Sequence, residues 1–297
     1  MSRHGYIFAV LENYFQARNL HVAVVPVSGG DIHSSFALNL TGDESLPSQL
    51  FAKCNSGIGV DVLKTEFESL KLINELVPSL YPQALLFDES DGEAVLLMQF
   101  HDLGVLGHRH AADAGRALAE QHKKTFDKFG WHSGNYIGMT PQSNQWMVSW
   151  VDFFREQRLL PMLARAEQAG LSSSSVAKVN TVIDNLDELF SHQVISSLVH
   201  GDLWSGNLSL DCATSKPLFY DPAPYYGDRE VDIAMTQLFG RQPGAFYQAY
   251  NEVWPLENGY EDRLAVYNLY HALNHVTLFG LSYSGLVDEC LRGSIAF

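Results

Sequence analysis

Cysteine is scarce in this chain of 297 residues: there are three, Cys54, Cys212 and Cys290, each isolated. They form neither a metal-ligand spacing nor a disulfide framework, which excludes a stapled secreted fold and favours a reducing cytoplasm. Long apolar runs are also missing, since none reaches the ~18–20 residues of a bilayer-spanning helix. The opening stretch Met1 to Val10 soon gives way to polar residues and has no signal-peptide pattern. Positive charge is in short supply: 19 Lys and Arg stand against 34 Asp and Glu, a net charge of −15. Such a surface repels nucleic-acid phosphates and anionic membranes, so neither is an expected partner. An anionic ligand would need a site that is locally basic and metal-assisted. With 46% hydrophobic and only 18% charged residues, the chain can bury an ample core, as one large domain or two lobes.

What is present centres on His200-Gly201-Asp202-Leu203-Trp204-Ser205-Gly206-Asn207. A bare His-Gly-Asp would be only a polar turn. Here Asp202 is followed at the fifth position by Asn207, the H-x-D-x-x-x-x-N spacing of a kinase catalytic loop. That chemistry needs an Asp to accept a hydroxyl proton and an Asn that turns back to hold Mg²⁺. Fourteen residues after Asn207 comes Asp221, in Leu218-Phe219-Tyr220-Asp221-Pro222. Leu208 to Leu210 and Leu218 to Tyr220 flank the polar segment Asp211 to Lys216, which reads as a β-hairpin. A hairpin returns its end to its beginning, so Asn207 and Asp221 can share a metal.

The preceding half supplies the nucleotide side. Residues 6–20 read as an amphipathic helix, 21–27 and 36–40 as strands, and 28–35 as a turn whose Gly29 and Gly30 would let backbone N–H groups approach phosphates. A strand at 50–54 carries Lys53. Asp61 is placed as the N-cap of a helix over 62–77. Glu66 on that helix is the expected partner of Lys53, preferred over Glu68 because its neighbours at 63 and 70 are apolar; the pair would grip the α- and β-phosphates. Strands at 84–88 and 94–100 complete a β-rich unit. The hydrophobic period changes near residue 101, giving two expected lobes, 1–100 and 101–297. Backbone groups of Gln99, Phe100 and His101 would hold the adenine. Helices are expected over 111–128, 146–169, 176–190, 231–239, 246–253 and 262–279. His122 reads as a packing histidine, and Asp232 as a carboxylate that caps its helix and holds the 200–207 backbone. His271 and His275, four residues apart, lack a third ligand and read as pocket lining or packing rather than a zinc site.

Taken together, these residues resemble the fructosamine kinase (ketosamine-3-kinase) family, of the protein-kinase-like group that includes aminoglycoside phosphotransferases and choline kinases. The shared core is Lys53, Glu66, residues 200–207 and Asp221-Pro222. More discriminating are Gln142 to Trp146, Trp150 to Leu159, Tyr226 to Met235 and Tyr267 to His275. The resemblance implies an α+β, protein-kinase-like two-lobe fold: a small β-rich N-lobe with one key helix and a larger helical C-lobe. It implies ATP and Mg²⁺, and phosphorylation of the sugar 3-hydroxyl of a ketoamine on a glycated amine, peptide or protein, which serves deglycation. Asp202 would be the catalytic base, Asn207 and Asp221 the Mg²⁺ ligands, and Lys53 with Glu66 the phosphate clamp. A related aminoglycoside- or choline-type phosphotransferase is the alternative, and a non-catalytic nucleotide-binding module a more remote one. Some family members carry a redox-active cysteine in the glycine-rich loop; residues 28–35 have none, and His33 lies there instead. Gln99 stands where a glutamate often sits.

Overall fold

The computed structural model of the chain describes residues 6–7, 9–10, 13–14, 21–27, 32–42 and 47–294. Gly29 and Gly30 lie outside the described residues, as does most of the helix expected over 6–20, whose described residues are helical.

Five antiparallel strands come first: β1 (His21–Val27), β2 (Ser34–Thr41), β3 (Gln49–Ser56), β4 (Ala84–Ser90) and β5 (Glu93–Gln99), in the order β1-β2-β3-β5-β4. The period of two explains the nearly continuous apolar run of β5. Ala94, Leu96 and Met98 pack with Leu63, Leu70 and Ile73 of helix α1 (Ile58–Leu76), whereas Val95 and Leu97 pack on the other face with Ile7, Val10, Leu38 and Leu50. Each buried Val, Leu, Ile or Met of this set contributes about 1.5–3 kcal/mol. Helix α1 begins at Ile58, four residues before the expected start. Gly57, at φ +59, is its N-cap and makes no side-chain cap bond. Asp61 is therefore not the cap but an acidic residue of the first turn, where the helix dipole favours a carboxylate.

The remainder is mostly helical. Strand β6 (Leu103–Gly104) leads to α2 (His108–His122), which stops short of the expected residue 128. The chain is drawn out of the helix because Lys124 O accepts from Leu198 N at 2.8 Å and Phe126 N donates to Ser196 O at 3.1 Å. A small hairpin, β7 (Asn135–Ile137) and β8 (Thr140–Gln142), occupies the irregular 129–141 stretch. Next, Phe129 and Met147 exchange backbone bonds of 2.8 Å, which delays the following helix to Trp150. That helix starts as α3 (Trp150–Phe153), capped by the Ser149 hydroxyl, widens to a π-turn over Phe154–Leu159 and continues as α4 (Leu160–Gln168). The helix expected over 176–190 is instead two, α5 (Ser173–Asp184) and α6 (Leu186–Leu189), interrupted at Asn185.

Four short strands then position the polar loop. Strand β9 (Ser196–Val199) runs into residues 200–207, β10 (Leu208–Asp211) and β11 (Lys216–Phe219) form the expected hairpin, and β12 (Tyr225–Asp228) pairs back onto β9. Strand β6 joins β10, so the crossing from the sheet is tied to this hairpin. Helices α7 (Glu230–Leu238), α8 (Gly244–Val253), α9 (Tyr260–Phe279) and α10 (Ser284–Ser294) complete the chain. The last of these was not expected from the sequence. No helix among the described residues is long and apolar enough to cross a membrane.

Candidate active site

The 200–207 loop is held by its backbone. Asp232 on α7 accepts from His200 N at 2.7 Å and Gly201 N at 2.9 Å, and from His122 Nε2 at 3.0 Å. It does not cap its own helix, whose N-cap is Arg229; its carboxylate is committed to the loop. His122 is fully buried, with Nδ1 at 2.8 Å from the Tyr250 hydroxyl, a packing histidine as its sequence context suggested. Gly201 sits at φ +83, and a β-carbon there would stand 2.1 Å from Ala223 O, so only glycine fits. The His200 ring staples the loop to the far end of the hairpin: Asp202 N donates to Nδ1 at 3.2 Å, while Nε2 faces Tyr220 O at 3.0 Å. Tyr220 N donates to Asn207 O at 3.1 Å and Ala223 N to His200 O at 2.9 Å. The hairpin thus brings Asp221, at φ +55, beside the loop.

Lys53 meets this unit from the sheet. Its Nζ lies 2.6 Å from Glu66 Oε1 and 2.5 Å from Asp221 Oδ1. The glutamate that reaches it is Glu66, not Glu68. Burial would discharge Lys53, but Asp221 and Glu66 outweigh it and hold the ammonium well above its ordinary range. Asp221 shows the same balance with the opposite sign: burial pushes its carboxyl up, and Lys53 brings it below the usual carboxylate range.

Asp202 has no such partner among the described residues. Burial, then the charges of Asp221 and Asp232, push its carboxyl up to about 7, opposed only by a bond from Asn207. Asn207 Nδ2 donates to Asp202 O at 2.9 Å and approaches Oδ2 at 3.4 Å. The buried His271 Nδ1 stands 4.0 Å from Asp202 Oδ1, beyond hydrogen-bond reach. The carboxylate of Asp221 and the amide oxygen of Asn207 are hard oxygen donors of the kind Mg²⁺ takes. A second acidic cluster, His192, Asp228 and Glu230, lies elsewhere and is already engaged: Arg263 grips Glu230 through two bonds of 2.7 Å, and Tyr267 and His192 both bond Asp228.

Gln99 ends β5, its N–H bonded to Gln83 O at 2.9 Å; Phe100 and His101 follow at the crossing, and the His101 ring reaches Asp211 Oδ2 at 3.4 Å. Beside Asp202, an aromatic belt runs from Trp204 to Phe239 (6.2 Å between ring centroids), from Phe239 to His275 (4.5 Å) and from His275 to Tyr283 (5.2 Å), with Phe279 against the last two. Neither Phe239 nor Tyr283 stood out in the sequence, because one lies just past the end of α7 and the other in the short turn before α10, with no shared spacing.

The model of the family described as fructosamine kinase matches residues 6–296. The chain belongs to the fructosamine kinase family. Its members among the relatives include a Synechocystis protein named "Probable ketoamine kinase", 38% identical over 90% of this chain and 89% of that one. A chloroplastic protein-ribulosamine 3-kinase of Arabidopsis thaliana is 39% identical over 82% of this chain and 76% of its own. In structure, a Thermobifida fusca protein assigned as a fructosamine-3-kinase superposes with a TM-score of 0.85 at 29% identity, over 97% of this chain and 98% of the other. The choline kinase of Streptococcus pneumoniae, at 11% identity and a TM-score of 0.67, covering 98% of this chain and all of that one, shares the fold alone. The family fold is the α+β, protein-kinase-like two-lobe arrangement, and family membership makes this chain an ATP-dependent phosphotransferase.

Proposed function

We propose that the protein transfers the γ-phosphoryl group of ATP to the 3-hydroxyl of a ketoamine carried by a glycated amine, peptide or protein, and so serves deglycation in the cytoplasm. The observation that carries this reading is the meeting of Lys53, Glu66 and Asp221 beside the Asp202–Asn207 loop, in a chain of the fructosamine kinase family. Residues 1–100 would form the nucleotide lobe and 101–297 the acceptor lobe.

Lys53, set by Glu66, neutralises the α- and β-phosphates. Backbone groups of Gln99, Phe100 and His101 take the adenine. Asn207 and Asp221 would hold Mg²⁺, which when bound supplies charge neutralisation across the phosphate oxygens. Asp202 orients the acceptor hydroxyl and receives its proton; a carboxyl near 7 is matched to that exchange at neutral pH. Phosphoryl transfer demands little more than positioning and charge stabilisation, so these groups suffice. Trp204, Phe239, His275 and Tyr283 offer aromatic faces to the sugar and to a protonated amine.

The test is a panel of fructosyl-lysine, ribulosyl-lysine, an aminoglycoside and choline, followed by ATP consumption and by ³¹P NMR of the product. Phosphate on O3 of a ketoamine is expected. Turnover of the aminoglycoside or choline, with none of either ketoamine, would overturn the proposal.

A further inference from the structure

Asn55 lies two residues beyond Lys53 on β3, so both side chains leave the same face of the strand. Its amide is fully used. Oδ1 accepts from Ser56 N at 2.8 Å, and Nδ2 reaches Ile32 O at 3.0 Å and His33 Nδ1 at 2.8 Å. Turning the amide over would set its oxygen against the Ile32 carbonyl and its NH₂ against the Ser56 N–H, two repulsions in place of two bonds. The donor is therefore Nδ2, and His33 Nδ1 must accept. A neutral imidazole that accepts at Nδ1 carries its proton on Nε2, so the tautomer of His33 is set by its neighbour.

The space for this amide comes from Gly59, in the first turn of α1. A β-carbon at that position would stand 2.1 Å from Asn55 Cγ. One side chain thus joins the segment entering β2, the end of β3 and the start of the helix that carries Glu66. The His33 ring is half-buried and lies within electrostatic reach of Lys53 and Asp221. Burial, then the Lys53 charge, push it down to about 4, in keeping with a neutral ring.

We propose that His33 is a phosphate-contacting residue of the nucleotide site, its Nε2–H held as a donor by Asn55 and offered to the phosphate oxygens that Lys53 neutralises. Asn55 is then a positioning residue, acting through His33, and Gly59 the position that admits it. This rests on the reading of the Lys53 face as the ATP site.

The experiment measures affinities for ATP·Mg²⁺ and for adenosine by isothermal titration calorimetry. His33→Ala is expected to weaken ATP·Mg²⁺ by about tenfold or more, as loss of a hydrogen bond to a charged group does, and to leave adenosine unchanged. His33→Gln, which keeps a side-chain N–H, recovers most of the loss. Asn55→Ala and Gly59→Ala each weaken ATP·Mg²⁺ less than His33→Ala. The His33→Ala/Asn55→Ala double variant is no weaker than His33→Ala alone, because Asn55 acts through the ring. Wild-type ATP·Mg²⁺ affinity in His33→Ala, or an equal loss for adenosine, overturns the proposal. Lys53→Ala in the same assay separates the two levels. If it weakens ATP·Mg²⁺ while His33→Ala does not, only the His33 role falls; if neither does, the nucleotide reading falls with it.

Discussion

Asp202 and Asp221 stand on one loop-and-hairpin unit, and the molecule treats them in opposite ways. Asp221 is met by the Lys53 ammonium and held in its charged form. Asp202 faces Asp221 and Asp232 with the Asn207 amide in support, and its carboxyl is pushed up to about 7. Chain position does not create this difference. It arises because β3 delivers a cation to one carboxylate, while the other is left among like charges under partial burial. A carboxylate held charged suits a metal and its phosphates; one poised near neutrality suits a proton. Pairs of groups whose surroundings push their proton affinities apart are how one site divides acid–base work from charge work.

The largest effect that would break this comparison belongs to Asp221. Asp221→Ala should abolish turnover in a folded protein, because it removes the charged partner of Lys53 and a proposed Mg²⁺ ligand. Asp221→Asn is the companion variant, since asparagine tolerates the left-handed conformation at φ +55 better than alanine. Near-wild-type activity in either variant, with circular dichroism unchanged, would refute the assignment. Lys53→Ala should come next, weakening ATP·Mg²⁺ by about 10–100-fold, the range for losing hydrogen bonds to charged groups. It also leaves Glu66 and Asp221 without their cation.

A smaller effect sharpens the Asp202 side. The free enzyme's kcat/KM should fall about tenfold per pH unit below about 7, as Asp202 takes up the proton that its proposed role as base requires it to lack. A profile flat down to pH 5 would contradict this. The smallest effect is on stability. The folded chain keeps the Asp202 proton up to about 7, whereas an unfolded chain releases it near 3.8. Between those values the native state binds more protons, so its stability declines as pH rises and levels off above about 7. Asp202→Asn removes that decline and should raise stability at pH 8 by on the order of 1–3 kcal/mol, below the full linkage value because the side chain keeps 21% of its exposure. An equal or lower melting temperature would count against an uncompensated charge there.

Much of this arrangement was legible in the residues. The hairpin over 208–219 and the Lys53–Glu66 choice follow from spacing and apolar neighbours, and the structure has them; Asp232 holds the loop as expected, but without capping its own helix. Helix starts were less legible, for a physical reason. At α1 a glycine with positive φ turns the chain before any capping side chain, and at α3 a backbone pairing with Phe129 keeps Met147 extended. Propensity is local, and these are tertiary decisions. The same holds for α2, which ends where residues 124–126 pair beside β9. The Lys53–Asp221 bond and the Trp204–Phe239–His275–Tyr283 belt join segments far apart in the chain, which no single-segment pattern reveals. Asn55 left a fainter signal, a polar residue two beyond the strand lysine, with a meaning that depends on the distant Ile32 and His33.

The division of labour between the two carboxylates is tested most directly by measuring both turnover and nucleotide affinity in Asp202→Asn with a ketoamine acceptor. The rate should fall by ~10²–10⁴, the usual span for a general base, while the dissociation constant for ATP·Mg²⁺ stays near that of the wild type. Loss of ATP·Mg²⁺ binding together with a normal rate at saturating ATP would show that the roles of Asp202 and the Lys53–Asp221 pair have been exchanged.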